Sequence, residues 1–316
     1  MSTLKVDGIR SNSALSDAIT LASDGTCDAN IKSIAGGQLA GFRNLVINGS
    51  MKVHQRASSA TGVGGGYHTA DRMYTTRGNS SATYNSTVSN GVLTLNNPSA
   101  ATGLSVRHGI EWDNVFYDKT MTLSFNAEAG SGTIQVYVAL VDGEVGNTTA
   151  QHFAHLTGTT TDVDNLTLTA VSGTKYEVTV DLPADSAVSF TPDMVRIVVS
   201  TTSAAGQSLA LSKLQFEFGS NATPFEHRSF GEEMHLCKRY YAQIEQTLYG
   251  CAYSTGSGFV HHYHVPEMRA TPSFTYTGRA TSSGFNHASY SNNKIFQCIM
   301  SHLSSYLQGA KWDAEL

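Results

Sequence analysis

Six stretches of this chain alternate apolar and polar residues with a period of two: Thr120–Ala127, Thr133–Leu140, Leu166–Val171, Lys175–Leu182, Met194–Ser200 and Ser208–Phe218. In an extended strand that period sends all apolar side chains to one face and all polar ones to the other. Strands of this kind are stable when the apolar faces of two sheets close on each other. The pattern therefore predicts an antiparallel β-sandwich with one wet and one dry face per sheet. Gly, Asn and Asp turns separate the runs. Residues 44–225, opened by Asn44–Gly49 and Met51–Arg56, read as one sandwich of about eight to ten strands, the number of a jelly roll.

The rest of the chain is organised around that block. At 316 residues there is material for two modest domains. Glycine is abundant (29) and proline scarce (6), which suits short strands and tight turns. Residues 1–43 hold short β-like strips, Leu4–Ile9 and Ala18–Thr26, with too little apolar surface to form a core alone; they read as an extended attachment segment that needs a partner. Ser229–Glu232 forms a capping box. After it Met234, Cys237, Tyr241, Ile244 and Leu248 recur at three- and four-residue spacing, which predicts a connecting helix of about four turns within 226–248. That stripe suits either its own domain's core or a three-helix seam about a molecular axis. Residues 249–316 read as a small C-terminal β domain.

Composition excludes several functions. Lys plus Arg (20) do not exceed Asp plus Glu (25), and a net charge of −5 offers no basic face for nucleic acid. No apolar run is long enough to span a bilayer, so no membrane insertion is expected. Met1–Asp7 lacks the character of a signal peptide, and the expected product is soluble. Cys27, Cys237, Cys251 and Cys298 are widely spaced, which argues for free thiols over a zinc cluster or disulfide framework.

Candidate chemistry is sparse, and no enzyme is expected. Gly62–Gly66 lacks the Lys-Ser/Thr of a phosphate loop. Asp71 and Arg72 read as a buried structural ion pair before they read as a catalytic pair. Glu111 with Asp113, and Asp142 with Glu144, are carboxylate pairs that nothing in the sequence marks for glycoside hydrolysis. No cofactor is expected. In a strand His262 and His264 point to one face, which supplies two imidazole ligands, short of a metal site for one chain. Tyr253, Tyr276, His287 and Tyr290, with Trp312, can stack on sugar rings or fill the core of a small domain.

Several stretches carry a family resemblance. Thr223-Pro-Phe-Glu226 through Arg239-Tyr-Tyr241 is similar to a block that recurs in bacteriophage tail fibres and other virion appendages, where it follows a carbohydrate-binding-like sandwich. Asn44…Asn48-Gly49…Gln55-Arg56…Tyr67…Asp71-Arg72 resembles the opening of those sandwiches, with Met73 where an aromatic Trp is usual. Leu4–Arg10 and Ser16–Cys27 resemble the start of marine and cyanophage fibre proteins. Pro266–Pro272 resembles their turn after the Tyr-Tyr pair, and Trp312–Leu316 their terminus. The resemblance implies a homotrimeric tail-fibre subunit, made in the host cytoplasm and located in the virion. Its N-terminus would dock on other tail proteins, and its distal β domains would meet a host-surface glycan or receptor. A depolymerase and an architectural capsid or baseplate decoration protein are the alternatives. In a trimer, three copies of His262 and His264 would supply six imidazoles, enough for an axial divalent ion.

Overall fold

In the computed structural model, the structure describes residues 8–9, 19–21, 23, 27–29, 42–78, 83–97, 103–130, 132–143, 155–156, 166–167, 170, 173–188, 190–201, 207–244, 248–250, 258–264, 266–279, 290–291, 294–300 and 305–315. Within them the mainly β, jelly-roll-like sandwich is present. One sheet has seven strands in the order His155–Leu156, Lys175–Asp181, Thr120–Ala129, Gln207–Phe218, Val92–Asn97, Tyr84–Ser89 and Ser59–Val63. The other has six, in the order Leu166–Thr167, Ile134–Val141, Met194–Thr201, Leu104–Glu111, Tyr74–Arg77 and Gly66–Tyr67. From Leu104 to Phe218 the long strands alternate between the sheets, so the chain wraps the core, and every pairing is antiparallel.

The alternation does the work expected of it. Met121, Leu123 and Phe125 face inward against Val136, Val138 and Ile197, all buried in one core cluster. Met73 lies in that same core, filling the position with a flexible thioether. Asn44 and Asn48 are buried and bridge backbone strands. Asn44 Nδ2 donates to the Leu214 carbonyl (3.0 Å), and Asn48 Nδ2 donates to the Val53 and Asp71 carbonyls (2.7 and 2.9 Å). Gly49 must be glycine, because a Cβ there would lie 2.0 Å from the Leu214 carbonyl oxygen.

Helix α1 spans Phe230–Lys238 and starts at the expected capping box: Ser229 Oγ accepts from Glu232 N–H at 3.2 Å, and the Glu232 carboxylate accepts from Ser229 N–H at 3.3 Å. Ser229→Ala should cost about 1 kcal/mol of stability, measured by urea unfolding. The helix is shorter than the spacing predicts. It ends at Lys238, Tyr241–Ile244 is a strand, and Leu248 begins another strand, Leu248–Gly250. The stripe Met234, Cys237, Tyr241, Ile244, Leu248 is therefore not one helical face. Cys237 and Tyr241 are buried within their own chain and Met234 is half-buried. Tertiary contacts explain the early stop: Tyr241–Ile244 pairs with Ala310–Asp313, and that pairing outweighs local helix propensity.

The same pairing crosses the expected boundary at residue 249. Three small sheets make up the C-terminal part, each with a returning strand at its centre. Ala310–Asp313 lies between Tyr241–Ile244 and Ser273–Thr275, Ser305–Gln308 between Leu248–Gly250 and Gly278–Arg279, and Ile295–Met300 between Gly258–Tyr263 and Tyr290–Ser291. Trp312 is the buried centre of a cluster with Met268, Ala310 and Phe274. At the N-terminal end Gly8–Ile9, Ile19–Leu21 and Cys27–Ala29 pair with one another as a three-stranded sheet.

Candidate functional site

The outward face of the six-stranded sheet carries a continuous row of side chains in register across five strands. Tyr137 lies opposite Val198, Val198 opposite Arg107, Arg107 opposite Tyr74, and Tyr74 opposite Tyr67. The next outward row reads Gln135, Ser200, Ser105 and Thr76 by the same pairings. Tyr67, Tyr74, Tyr137 and Arg107 are half-buried; the three rings pack against the buried cluster of Ala139, Val141, Met194 and Tyr240, and the Arg56 guanidinium lies 5.3 Å from the Tyr67 ring centre. Tyr67 and Tyr74 meet edge to face at 5.4 Å, and the Arg107 guanidinium lies 5.9 Å from the Tyr74 ring centre. Arg196, one row further on, is buried 5.8 Å from the Tyr137 ring and hydrogen-bonds it. Burial lowers the Arg196 pKa and neighbouring Arg107 adds to this, while Tyr137 opposes both.

Strands spaced about 4.8 Å apart make the five-residue row roughly 19 Å wide. The row offers three phenol rings and the Arg107 guanidinium, with Val198 buried between Tyr137 and Arg107 and hydroxyl and amide groups in the row beside it. The opposite face of the sandwich differs in kind. Among the described residues, the outward side chains of the seven-stranded sheet are mostly small or polar, such as Thr87, Thr94, Asn96, Thr122 and Glu177 with Lys175 paired to it, and no Phe, Tyr or Trp row crosses them.

One end of the six-stranded face is closed by a buried joint that gathers the sequence motifs. Arg72 donates to the Glu315 carboxylate and to the Gly109 carbonyl (2.6 Å), and its guanidinium lies 3.4 Å from the Tyr240 ring centre. Arg56 sits 3.6 Å from the Tyr241 ring centre, 2.9 Å from Asp313 and 3.3 Å from Glu315. Asp71 accepts from Gln55 N–H (2.9 Å) and Gln55 Nε2 (2.6 Å), and that same Nε2 donates to the Tyr241 carbonyl at 2.8 Å. The expected Asp71–Arg72 pair is thus corrected: Arg72 pairs with Glu315, 243 residues away, and Asp71 faces Gln55 and Arg56. Burial pushes the Asp71 carboxyl up to about 6, against the hydrogen bonds from Gln55 and the attraction of Arg56. Burial likewise raises the Cys237 thiol well above its ordinary value, which makes it a poor nucleophile.

A second latch holds the start of the sandwich. The Glu226 carboxylate accepts from the backbone N–H groups of Asn44 (2.5 Å) and Phe42, and Thr223 Oγ1 donates to Glu217 (2.6 Å) while accepting from Arg43 (2.7 Å). The Thr223–Glu226 stretch clamps the chain where it enters the fold.

The residues singled out from sequence lie elsewhere. His264 is buried, with its ring edge-on to Trp312 at 5.3 Å. His262 lies in the strand Gly258–Tyr263, opposite Phe296. Tyr276 packs against the Trp312 cluster beside Phe274, 6.0 Å away, as a core residue of the small unit. Tyr290 pairs with Gln297 in a two-residue strand, and Tyr253 and His287 lie outside the described residues. Sequence reasoning missed the Tyr–Arg row. Its signal was present as Tyr67, Tyr74, Arg107 and Tyr137 at polar-phase positions of alternating strands.

No family model matches the chain, and no curated protein does. Among solved structures it is similar to the enzymatically active domain of tailspike protein 4 of bacteriophage CBA120, at 16% identity and a TM-score of 0.32 over 57% of this chain and 22% of that one. The matched part thus spans about a fifth of the tailspike chain. It is also similar to a family 30 carbohydrate-binding module (13% identity, TM-score 0.27, 58% of this chain and 97% of that one). A third is TmCBM61, solved with β-1,4-galactotriose (8% identity, TM-score 0.29, 56% and 99%). Likeness at this level identifies no residue and no ligand.

Proposed function

We propose that this chain is a non-enzymatic subunit of a phage tail appendage that recognises host-surface glycan on the outward face of its six-stranded sheet. The observation that carries the reading is the cross-strand row of Tyr67, Tyr74, Arg107 and Tyr137. Phenol rings offer flat apolar faces to the C–H side of a sugar, and guanidinium, hydroxyl and amide groups donate to its oxygens. The resemblance of the Thr223–Tyr241 block to virion appendages supports the biological setting. Assembly as a homotrimer, docking through the N-terminal segment and location in the virion belong to the same proposal, with weak single sites multiplied by valency.

The carboxylates support binding over hydrolysis. Glu111 accepts from Tyr240 Oη (2.7 Å) and faces Arg239 (3.3 Å) and Arg269 (3.8 Å), while Asp113 caps a short turn by accepting from Val115 N–H. Each carboxylate is thus engaged by groups of its own chain. Calorimetric titration with oligosaccharides from the host surface tests the reading. Tyr74→Ala and Tyr137→Ala should each weaken binding by roughly 2- to 10-fold in protein shown to be folded by circular dichroism, Tyr137→Ala with a lower melting temperature because the buried Arg196 loses its partner. Unchanged affinity in the double variant, or release of reducing ends by the wild-type protein, would overturn it.

A further inference from the structure

A cleft opens at one mouth of the sandwich with a volume of about 270 Å³; none of the row's four Tyr and Arg residues lines it, though its Ile47 and Tyr240 belong to the cluster on which the row's tyrosines pack. Leu45 and Ile47 line it on one side and Phe116 and Phe218 on another; Glu111, Asp113, Arg239 and Tyr240 supply polar groups. Phe116 and Phe218 stack nearly parallel, 5.7 Å apart at 13°. Phe218 is 47% exposed, and Val115 beside it is 54% exposed. The fold thus leaves a phenyl ring in solvent against a fixed carboxylate. Glu111 is held there by Tyr240, Arg239 and Arg269, so its orientation is set before any ligand arrives.

We propose that this cleft is a second carbohydrate subsite, one that holds a single neutral pyranose residue. The inference rests on the glycan reading but uses none of its residues. One side of a pyranose is a C–H surface that can lie on Phe218, while its hydroxyls can donate to the Glu111 carboxylate and accept from Arg239. The volume lies just under the usual range for small-molecule sites, about 300–1,000 Å³, which suits one ring and not a chain. Neutral sugars fit best because Glu111 and Asp113 are balanced by Arg239 and Arg269. The half-buried Glu111 and exposed Asp113 would oppose a uronate, and the guanidiniums an amino sugar.

Saturation-transfer NMR tests this with methyl glycosides of glucose, galactose, mannose and N-acetylglucosamine as probes. At least one should show ring-proton saturation with wild type and equally with the Tyr74→Ala/Tyr137→Ala double variant. The signal should vanish in Phe218→Ala and fall several-fold in Glu111→Gln. Val115→Arg, which fills the mouth from an exposed position, gives the same loss should Phe218→Ala fail to fold. Absence of any signal in wild type, or a signal that survives Phe218→Ala or Val115→Arg, overturns the subsite. If oligosaccharides still bind through Tyr74 and Tyr137, only the cleft inference falls; if they do not, the glycan reading falls with it.

Discussion

Arg72→Ala should lower the free energy of unfolding by about 3–5 kcal/mol, the usual consequence of stranding one partner of a buried ion pair. Arg72 is 1% exposed and Glu315, at the far end of the chain, is also buried. Without the guanidinium, Glu315 keeps only Arg56 at 3.3 Å, the Gly109 carbonyl loses its donor, and Tyr240 loses the cation beneath its ring. Arg72 has a φ of +69°, but Ala meets the same backbone cost as Arg, so that penalty cancels in the comparison. Arg72→Lys should not restore the loss, because an ammonium cannot reproduce the fork that reaches both Glu315 and Gly109. Adding Glu315→Gln to Arg72→Ala should recover part of it by removing the stranded charge. The two tryptophans report separately: Trp112 at the mouth of the sandwich and Trp312 in the C-terminal cluster. In urea, with each Trp replaced in turn by Phe, the Trp312 signal should move to lower denaturant more than the Trp112 signal. A change under about 1 kcal/mol would show that the joint does not hold the two parts together.

What the sequence made legible follows the range of the interactions involved. Period-two runs such as Thr133–Leu140 need only their own residues to declare a strand and a buried face, and the sandwich follows. The capping box Ser229–Glu232 is equally local and equally readable. The helix C-terminus was not, because Tyr241 satisfies both a 3–4 helical spacing and the alternation of the strand Tyr241–Ile244. The choice between them is made by Ala310–Asp313, some seventy residues on. The joint was illegible for the same reason. Gln55-Arg56, Asp71-Arg72, Arg239-Tyr-Tyr241 and Asp313-Ala-Glu315 each looked like a separate tag, and adjacency suggested that Asp71 and Arg72 paired. Charge alone cannot tell which of 25 acids meets a given arginine. The fold shows the four tags as parts of one structure. The Tyr–Arg row stands between these cases: its residues sit at readable outward positions, but the register that aligns them across five strands does not show in any one of them.

Asp71→Asn should reshape the pH dependence of stability, and this gives a second test of the joint. Asp71 is fully buried, and burial raises its carboxyl from an ordinary 3.8 to about 6 in the folded protein. Below pH 3.8 the group is protonated whether the chain is folded or not, and it costs nothing. Between pH 3.8 and 6 the unfolded chain releases the proton while the folded chain retains it, so stability declines as pH rises through that window. Above pH 6 the cost reaches a plateau of about 3 kcal/mol, from two pKa units at about 1.4 kcal/mol each. An asparagine carries no such cost. The difference in unfolding free energy, variant minus wild type, should therefore grow by about that amount between pH 4 and pH 7. Its starting value at pH 4 reports something else. Asn Oδ1 can still accept from Gln55 N–H, but its amide cannot accept from Gln55 Nε2, so the bond at 2.6 Å is lost or Gln55 turns away from the Tyr241 carbonyl. The offset measures those hydrogen bonds, and the slope measures the buried charge. Urea unfolding at half-unit steps separates the two, and parallel curves for wild type and variant would mean that the Asp71 carboxyl titrates alike in the folded and unfolded chain.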